Sequence, residues 1–401
     1  MAPGQRSRTI VYAVLLTVAA ALVGAGVCRL LRGGHIALPL PRDLLAYWGS
    51  ARLLLQRQDP YDLEALLDLQ QRQGWPGEQP VVAWNPPLLQ VLWLPLAALP
   101  FPAATAVWLL ANPLIIGLGA ICAWPALSSA SHRFASLYVP ILTFSFAGTV
   151  HSMVEGQVTC LVLLGLGAFL LLRAQKREFL AGASSVLWLV KPHLVYLLLP
   201  LFLLDAGLKR RWSMLAGFAL CLLGLLAVAT CFYPGWPMGY LGVLQSQFSP
   251  AHHEYITPTV HSLLSVSFGT TLGRYLWLVF LPAAIALYAR YGTGLDFRSV
   301  LNWAVIASLV TAPFGWASDQ VVLLLPILLV VALALRCQPL KRWASLAGLG
   351  FVFFFAWWFW VVDYQELPNL AVPLAIAALY GYLSLVARRN ERHGPSSLTA
   401  A

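Results

Sequence analysis

Charged residues are scarce in this chain. Asp, Glu, Lys and Arg make up 10% of its 401 residues, against roughly 25% in an ordinary globular protein. With 60% of the chain hydrophobic and a mean hydropathy of +0.75, a soluble fold is excluded. Acidic residues are the scarcer sign, 15 against 25 basic. In a soluble domain that excess would suggest nucleic acid, but here the basic residues fall in short clusters between apolar runs. That is the pattern of membrane topology, so no nucleic-acid partner is expected.

The sequence also lacks the short motifs of soluble phosphate and metal chemistry. It has no Gly-Lys-Ser/Thr phosphate loop, no Asp-x-Asp pair for a nucleotide-sugar metal, no His-Glu-x-x-His and no Gly-x-Ser-x-Gly. Its cysteines (Cys28, Cys122, Cys160, Cys221, Cys231, Cys337) form no Cys-x-x-Cys pair and read as core filler, so neither a metal site nor a cofactor is expected. The pairs Gly165/Gly167 and Gly348/Gly350 lie in apolar runs and read as close-packing positions.

What the chain has in quantity is membrane-length apolar sequence. A helix needs about 20 apolar residues to cross the hydrocarbon, and such segments fall at 9–31, 104–124, 134–152, 157–173, 212–234, 272–290, 299–316, 319–336, 343–362 and 368–387. The first reads as a retained signal anchor. Residues 86–100 are too rich in proline for a straight span. Residues 179–204 are flanked by basic residues at both ends (Arg173, Lys176, Arg177; Lys209, Arg210, Arg211), which predicts a hairpin returning to the side it entered, with Lys191-Pro192 at its apex.

The expected fold is therefore all-α: a polytopic transmembrane helical bundle of about 10–12 membrane segments, one domain over 1–390, with a disordered cytoplasmic tail at 391–401. The basic clusters place both termini in the cytoplasm. Few lysines among many arginines suggest a bacterial source, hence a bacterial inner membrane. The largest polar region, 32–85, is then a first outer loop, and 235–262 a second. Within the first, 43–57 and 61–72 have helical periodicity, with Leu44, Leu45, Trp48 and Leu55 on one side. These predict short amphipathic helices at the outer interface.

Candidate chemistry gathers at that face. Asp43 follows the first span closely; it could act as a partly dried base or cap a helix at 44–57. Asp59 could cap a helix from Pro60. Lys191 lies deep in an apolar stretch, where a lysine is costly and reads as a functional candidate, unless it only snorkels or pairs with a carboxylate. Glu155 and Gln157 open a span and could hydrogen-bond a substrate or satisfy backbone groups. Asp319 could cap a helix or touch substrate. His252-His253-Glu254 and His261 lack metal-ligand spacing; one histidine could still reach a phosphate. The aromatic run from Phe351 to Trp360 reads as an interfacial belt or a lipid groove.

The run Asp43-Leu-Leu-Ala-Tyr47-Trp-Gly-Ser-Ala51, with Asp59-Pro60-Tyr61 and Asn85-Pro86-Pro87-Leu88 downstream, resembles glycosyltransferase family 87. Further matches are Glu155-Gly156-Gln157, Gly182 followed by Lys191, and Pro313-Phe-Gly-Trp316-Ala-Ser-Asp319-Gln320, so the resemblance spans about residues 43–330. That family comprises membrane mannosyltransferases of the GT-C type that draw sugar from a polyprenyl-phosphate donor. The resemblance implies a GT-C bundle and an inverting hexosyltransferase, with a polyprenyl-phosphate sugar as donor, a lipid or glycan acceptor, and membrane lipids as surroundings. It implies Asp43 as the base, with Tyr47, Gln157, Glu155, Lys191, Asp319 and His261 as substrate-binding candidates; Lys191 would steady the leaving phosphate. Where the family's late motif often carries histidine after the tryptophan, this chain has Ala317, Ser318 and Asp319. A transporter or flippase of a lipid-linked sugar is the rival, because broken helices and an intramembrane lysine also mark transport paths.

Overall fold

The computed structural model describes residues 41–128, 132–247, 255–269, 273, 275–363 and 365–392. The first predicted span (9–31), the His252-His253-Glu254 run and the tail from 393 lie outside the described residues. Among the described residues the protein is an all-α polytopic bundle with no strand.

Two short helices come first, α1 (Arg42–Leu55) and α2 (Leu63–Gln71). Next are α3 (Pro87–Ala97), α4 (Phe101–Leu127), and the pair α5 (His132–Ser145) and α6 (Ala147–Val154). Then come α7 (Thr159–Ala174), α8 (Glu178–Ser185), α9 (Leu198–Leu208), α10 (Trp212–Phe232) and α11 (Trp236–Gln247). The chain closes with α12 (Val260–Phe268), α13 (Trp277–Tyr291), α14 (Phe297–Thr311), α15 (Leu324–Ala334), α16 (Pro339–Trp358) and α17 (Ala371–Arg392). By length and composition, five helical stretches suffice to cross a membrane: 101–127, 212–232, 317–334, 339–363 and 367–389. The pair α5–α6, bent by 68°, makes a sixth. Other predicted spans appear as apolar helices of 15 or 16 residues, such as α7, α13 and α14. Leucines of α10 face outward (Leu220 61% and Leu223 60% exposed), a surface that suits hydrocarbon and not water.

Two departures from the expected pattern shape the site. The helix predicted at 43–57 is α1, and it is buried on nearly every side: Leu44, Leu45, Tyr47, Trp48 and Leu54 are all enclosed. It packs against α3, its indole Trp48 Nε1 donating to Leu99 O at 3.1 Å. The second helix starts later than predicted. Asp62, not Asp59, is its cap, accepting from the amides of Glu64 and Ala65, while Asp59 accepts from Tyr61 N in the preceding turn.

The predicted hairpin at 179–204 has the expected break. Helix α8 tightens into a 3-10 turn, Val186–Val190, stops at Lys191, and resumes as a second 3-10 turn, Pro192–Val195, before α9. Its two ends lie together at the far end of the bundle. There Arg211 Nη1 meets Glu178 Oε1 at 2.5 Å, while the buried Asp205 carboxylate binds Arg173, Lys209 and the Tyr288 hydroxyl.

Bare backbone holds the scaffold close. A Cβ on Gly182 would lie 1.8 Å from Met214 O, and one on Gly167 would lie 2.1 Å from Gly119 O. So α8 meets α10, and α4 meets α7, at separations only glycine permits. Gly165 is also crowded, but Gly350, expected to be a packing position, faces open space. Cys122, Cys160, Cys221, Cys231 and Cys337 are free thiols.

Candidate active site

The end of the bundle nearest α1 encloses a cavity of about 260 Å³, lined by residues from seven separated stretches of sequence. Asp43, Tyr47, Gln157 and Lys191 all line it, although the chain separates the first from the last by nearly 150 residues. The sequence predicts Asp43, Tyr47 and Gln157 at the outer face and Lys191 deep in an apolar stretch, and the fold brings them within hydrogen-bonding reach.

Gln157 is the hub. It follows Gly156, whose φ of +67° is a left-handed conformation that glycine adopts without steric penalty. That reversal after α6 turns Gln157 inward. From α4, Trp108 Nε1 donates to Gly156 O at 2.9 Å and Asn112 Nδ2 to Gln157 O at 2.8 Å, so the turn is pinned on both carbonyls. The Gln157 amide nitrogen donates to Asp43 Oδ2. Its oxygen accepts from Tyr47 OH at 3.1 Å and from Lys191 Nζ at 2.5 Å. This orientation is the self-consistent one, because reversing the amide would aim its NH₂ at two donors.

Lys191 reaches the cavity because the helix breaks there. Asn85 Nδ2 donates to Val190 O at 2.7 Å, taking a carbonyl that the interrupted helix leaves without its usual partner. The ammonium also donates to Asp319 Oδ1 at 2.7 Å. An ammonium has three protons. Two are used by Gln157 and Asp319, and the third has no acceptor among the described residues and is available to a cavity occupant.

Asp319 stands behind Lys191 and does not itself line the cavity. It is fully buried, in the 3-10 turn Ala317–Leu323 that leads into α15. Oδ1 accepts from Thr159 Oγ1 at 2.6 Å as well as from Lys191, and Oδ2 accepts from Trp316 N at 3.1 Å. It thus caps the turn and neutralises the lysine at once. Because Lys191 is committed to Asp319, Asp43 is the carboxylate of the cavity wall without an ion pair among the described residues. Burial raises the pKa of Asp43 above the ordinary carboxylate range, a shift that Lys191 and Arg42 partly oppose. Burial likewise holds the Tyr47 hydroxyl protonated, well above its usual range.

Asp43 does not cap its helix. The helix begins at Arg42 with Pro41 as cap residue, so the carboxylate sits in the first turn. One of its oxygens is held by Gln157; the other makes no hydrogen bond among the described residues. That leaves a half-buried acceptor at the cavity wall.

Two expected site residues lie elsewhere. Glu155, the residue that caps the end of α6, lies 3.9 Å from His151 Nε2 and is not part of the cavity wall. His261, on α12, does not line it either. Conversely, sequence reasoning missed Asn112 and Trp108, which hold the hub, Thr159, which holds Asp319, and His193, Tyr196, Tyr240 and Trp277, which complete the wall. His193 carried a usable signal, standing two residues after Lys191 at the same break. The others are single polar or aromatic residues within apolar helices, with no local pattern to distinguish them.

The match with known families covers most of the site. The model of glycosyltransferase family 87 matches residues 84–355, which include Gln157, Lys191 and Asp319. No curated protein and no solved structure matches the chain significantly.

Proposed function

The chain belongs to glycosyltransferase family 87, and from that premise we propose that it transfers a hexose, mannose first among the candidates, from a polyprenyl-phosphate donor. The acceptor is a hydroxyl of a lipid or glycan at the outer face of a bacterial inner membrane, and both termini lie in the cytoplasm. The observation that carries this reading is the pairing, across one small cavity, of an acceptor carboxylate free of any ion pair among the described residues with a lysine that has one proton to spare.

The chemistry follows from those two groups. Asp43 takes the proton from the acceptor hydroxyl as its oxygen bonds to the anomeric carbon. The bond from that carbon to the phosphate oxygen breaks on the opposite face, and its electron pair leaves with the polyprenyl phosphate. Configuration is therefore inverted. Negative charge grows on the departing phosphate, where the third N–H of Lys191 stabilises it, and Asp319 keeps the lysine charged and aimed. Tyr47, held protonated, orients Gln157, and Gln157 in turn orients the base. A donor already carried on lipid phosphate needs no nucleotide pocket, which fits the absence of phosphate-loop and Asp-x-Asp motifs.

The test is donor choice. Membranes carrying the protein are given radiolabelled mannose either on polyprenyl phosphate or on guanosine diphosphate, with a crude lipid and glycan extract as acceptor. Label moved from the lipid-linked donor alone supports the reading. Label moved directly from the nucleotide sugar by purified protein overturns it, and passage of intact lipid-linked sugar across vesicles without transfer favours the flippase reading.

A further inference from the structure

A second and larger cavity, about 820 Å³, lies at the opposite end of the bundle from Asp43. It runs along α14 from Ser299 to Ala307, roughly 12 Å at 1.5 Å per residue. Its volume is in the range of pockets that hold drug-sized ligands, enough for part of an amphiphile such as one acyl chain. The walls are apolar, with aliphatic side chains such as Leu197, Leu201, Leu329 and Leu333 alongside the rings of Trp303 and Tyr380. Leu287 is 61% exposed, so the wall is open toward the surroundings of the bundle on the α13 side. The cavity stops short of the first one, where Tyr196 OH and Thr311 Oγ1 meet at 2.6 Å.

The mouth has a different character from the walls. Arg298 opens α14, Arg336 follows the end of α15, and Arg388 lies near the end of α17; all three line the cavity. Arg298 is already engaged, by Asp296 at 2.5 Å and by Ala126 O at 2.7 Å. Arg336 and Arg388 have no carboxylate partner among the described side chains. Two uncommitted guanidinium groups over an apolar trough are complementary to an amphiphile with a phosphate head and a hydrocarbon chain. A soluble anion would have no use for the trough, and a neutral lipid none for the arginines.

We infer that this cavity is a binding site for one anionic phospholipid of the surrounding leaflet, with its phosphate at Arg336 and Arg388 and an acyl chain along α14. The site is separate from the transfer chemistry and does not depend on it.

Native mass spectrometry of the purified full chain tests this, with phosphatidylglycerol and phosphatidylcholine titrated in parallel. The wild type retains one phosphatidylglycerol in preference to phosphatidylcholine. Arg336→Gln with Arg388→Gln weakens that retention about thirtyfold, on the scale of two basic side chains acting on an anionic head. Both arginines are exposed, so these changes leave the bundle intact. Ala304→Phe, which fills the trough and keeps the arginines, also abolishes the bound lipid. Glycerol 3-phosphate in excess does not displace it, which separates a lipid site from a phosphate site. Equal retention by the wild type and the double-arginine variant, or no preference of the wild type for phosphatidylglycerol, overturns the inference. So does unchanged retention when the trough is filled.

Discussion

Removing the Lys191 ammonium separates two roles that one side chain performs in this site. In Lys191→Met, Asp319 keeps its bonds from Thr159 and Trp316 N but loses its ion pair with Lys191 while fully buried. Breaking a buried pair from one side typically costs about 3–5 kcal/mol. The two surviving hydrogen bonds argue for the lower end, near 3 kcal/mol. Asp319→Asn should be milder, because an amide oxygen can still accept from Thr159. The double variant Lys191→Met/Asp319→Asn removes both charges, so it should recover about 2 kcal/mol of the summed single losses, within the usual range for contacting residues. The assay is unfolding in mild-detergent micelles titrated with dodecyl sulfate, followed by tryptophan fluorescence. Activity should behave differently. If Lys191 stabilises the leaving phosphate, Lys191→Met lowers the transfer rate about 10²–10³-fold, and the double variant, though stable, stays slow. Additive stabilities would refute the pair, and a restored rate in the double variant would refute the role of the lysine in the transition state.

Three further outcomes follow from the geometry. Gly156→Ala places a Cβ at φ +67°, about 3.4 Å from Leu44 Cβ; it should cost about 1–2 kcal/mol and lower kcat/KM by misplacing Gln157, measured as unfolding and transfer on the same preparation. Gly182→Leu cannot fit against Met214 O, so α8 and α10 must separate, and the folded yield by size-exclusion chromatography should collapse. Glu366, whose Oε2 accepts from Ala317 N at 2.8 Å, has its pKa pushed up to about 7 by burial, with Asp319 and Glu155 adding to the shift. A carboxyl whose folded pKa is raised stabilises the fold when protonated, so its contribution is full below about pH 4.5 and is lost as pH rises through about 7. Over that window stability should fall in the wild type and stay flatter in Glu366→Gln.

Much of the bundle was legible because hydropathy is a strong signal over 20 residues. The proline at 192, after a lysine in an apolar run, marked the helix break that the structure shows at Lys191. Burial of α1 was not legible, since its polar residues Ser50 and Arg52 satisfy a surface pattern as well as a buried one. Arg52 in fact donates to Ala97 O at 2.8 Å within the packed interface. Nor could spacing separate Glu155 from Gln157. Two residues apart, they diverge because Gly156 reverses the backbone between them, and a left-handed glycine looks like any other in sequence. The residues that hold the site's polar groups were hidden for a related reason: Thr159 and Asn112 matter through partners 160 and 45 residues away.

The central claim is that Asp43 deprotonates the acceptor. The most direct measurement is the rate of mannose transfer from polyprenyl-phosphate mannose by wild type and Asp43→Asn at matched amounts of folded protein. Asparagine keeps the hydrogen bond from Gln157 and removes only the base, so the account predicts a fall of about 10²–10⁴-fold. It also predicts unchanged or higher stability at neutral pH, because the buried charge is gone. Transfer by Asp43→Asn at the wild-type rate would contradict it.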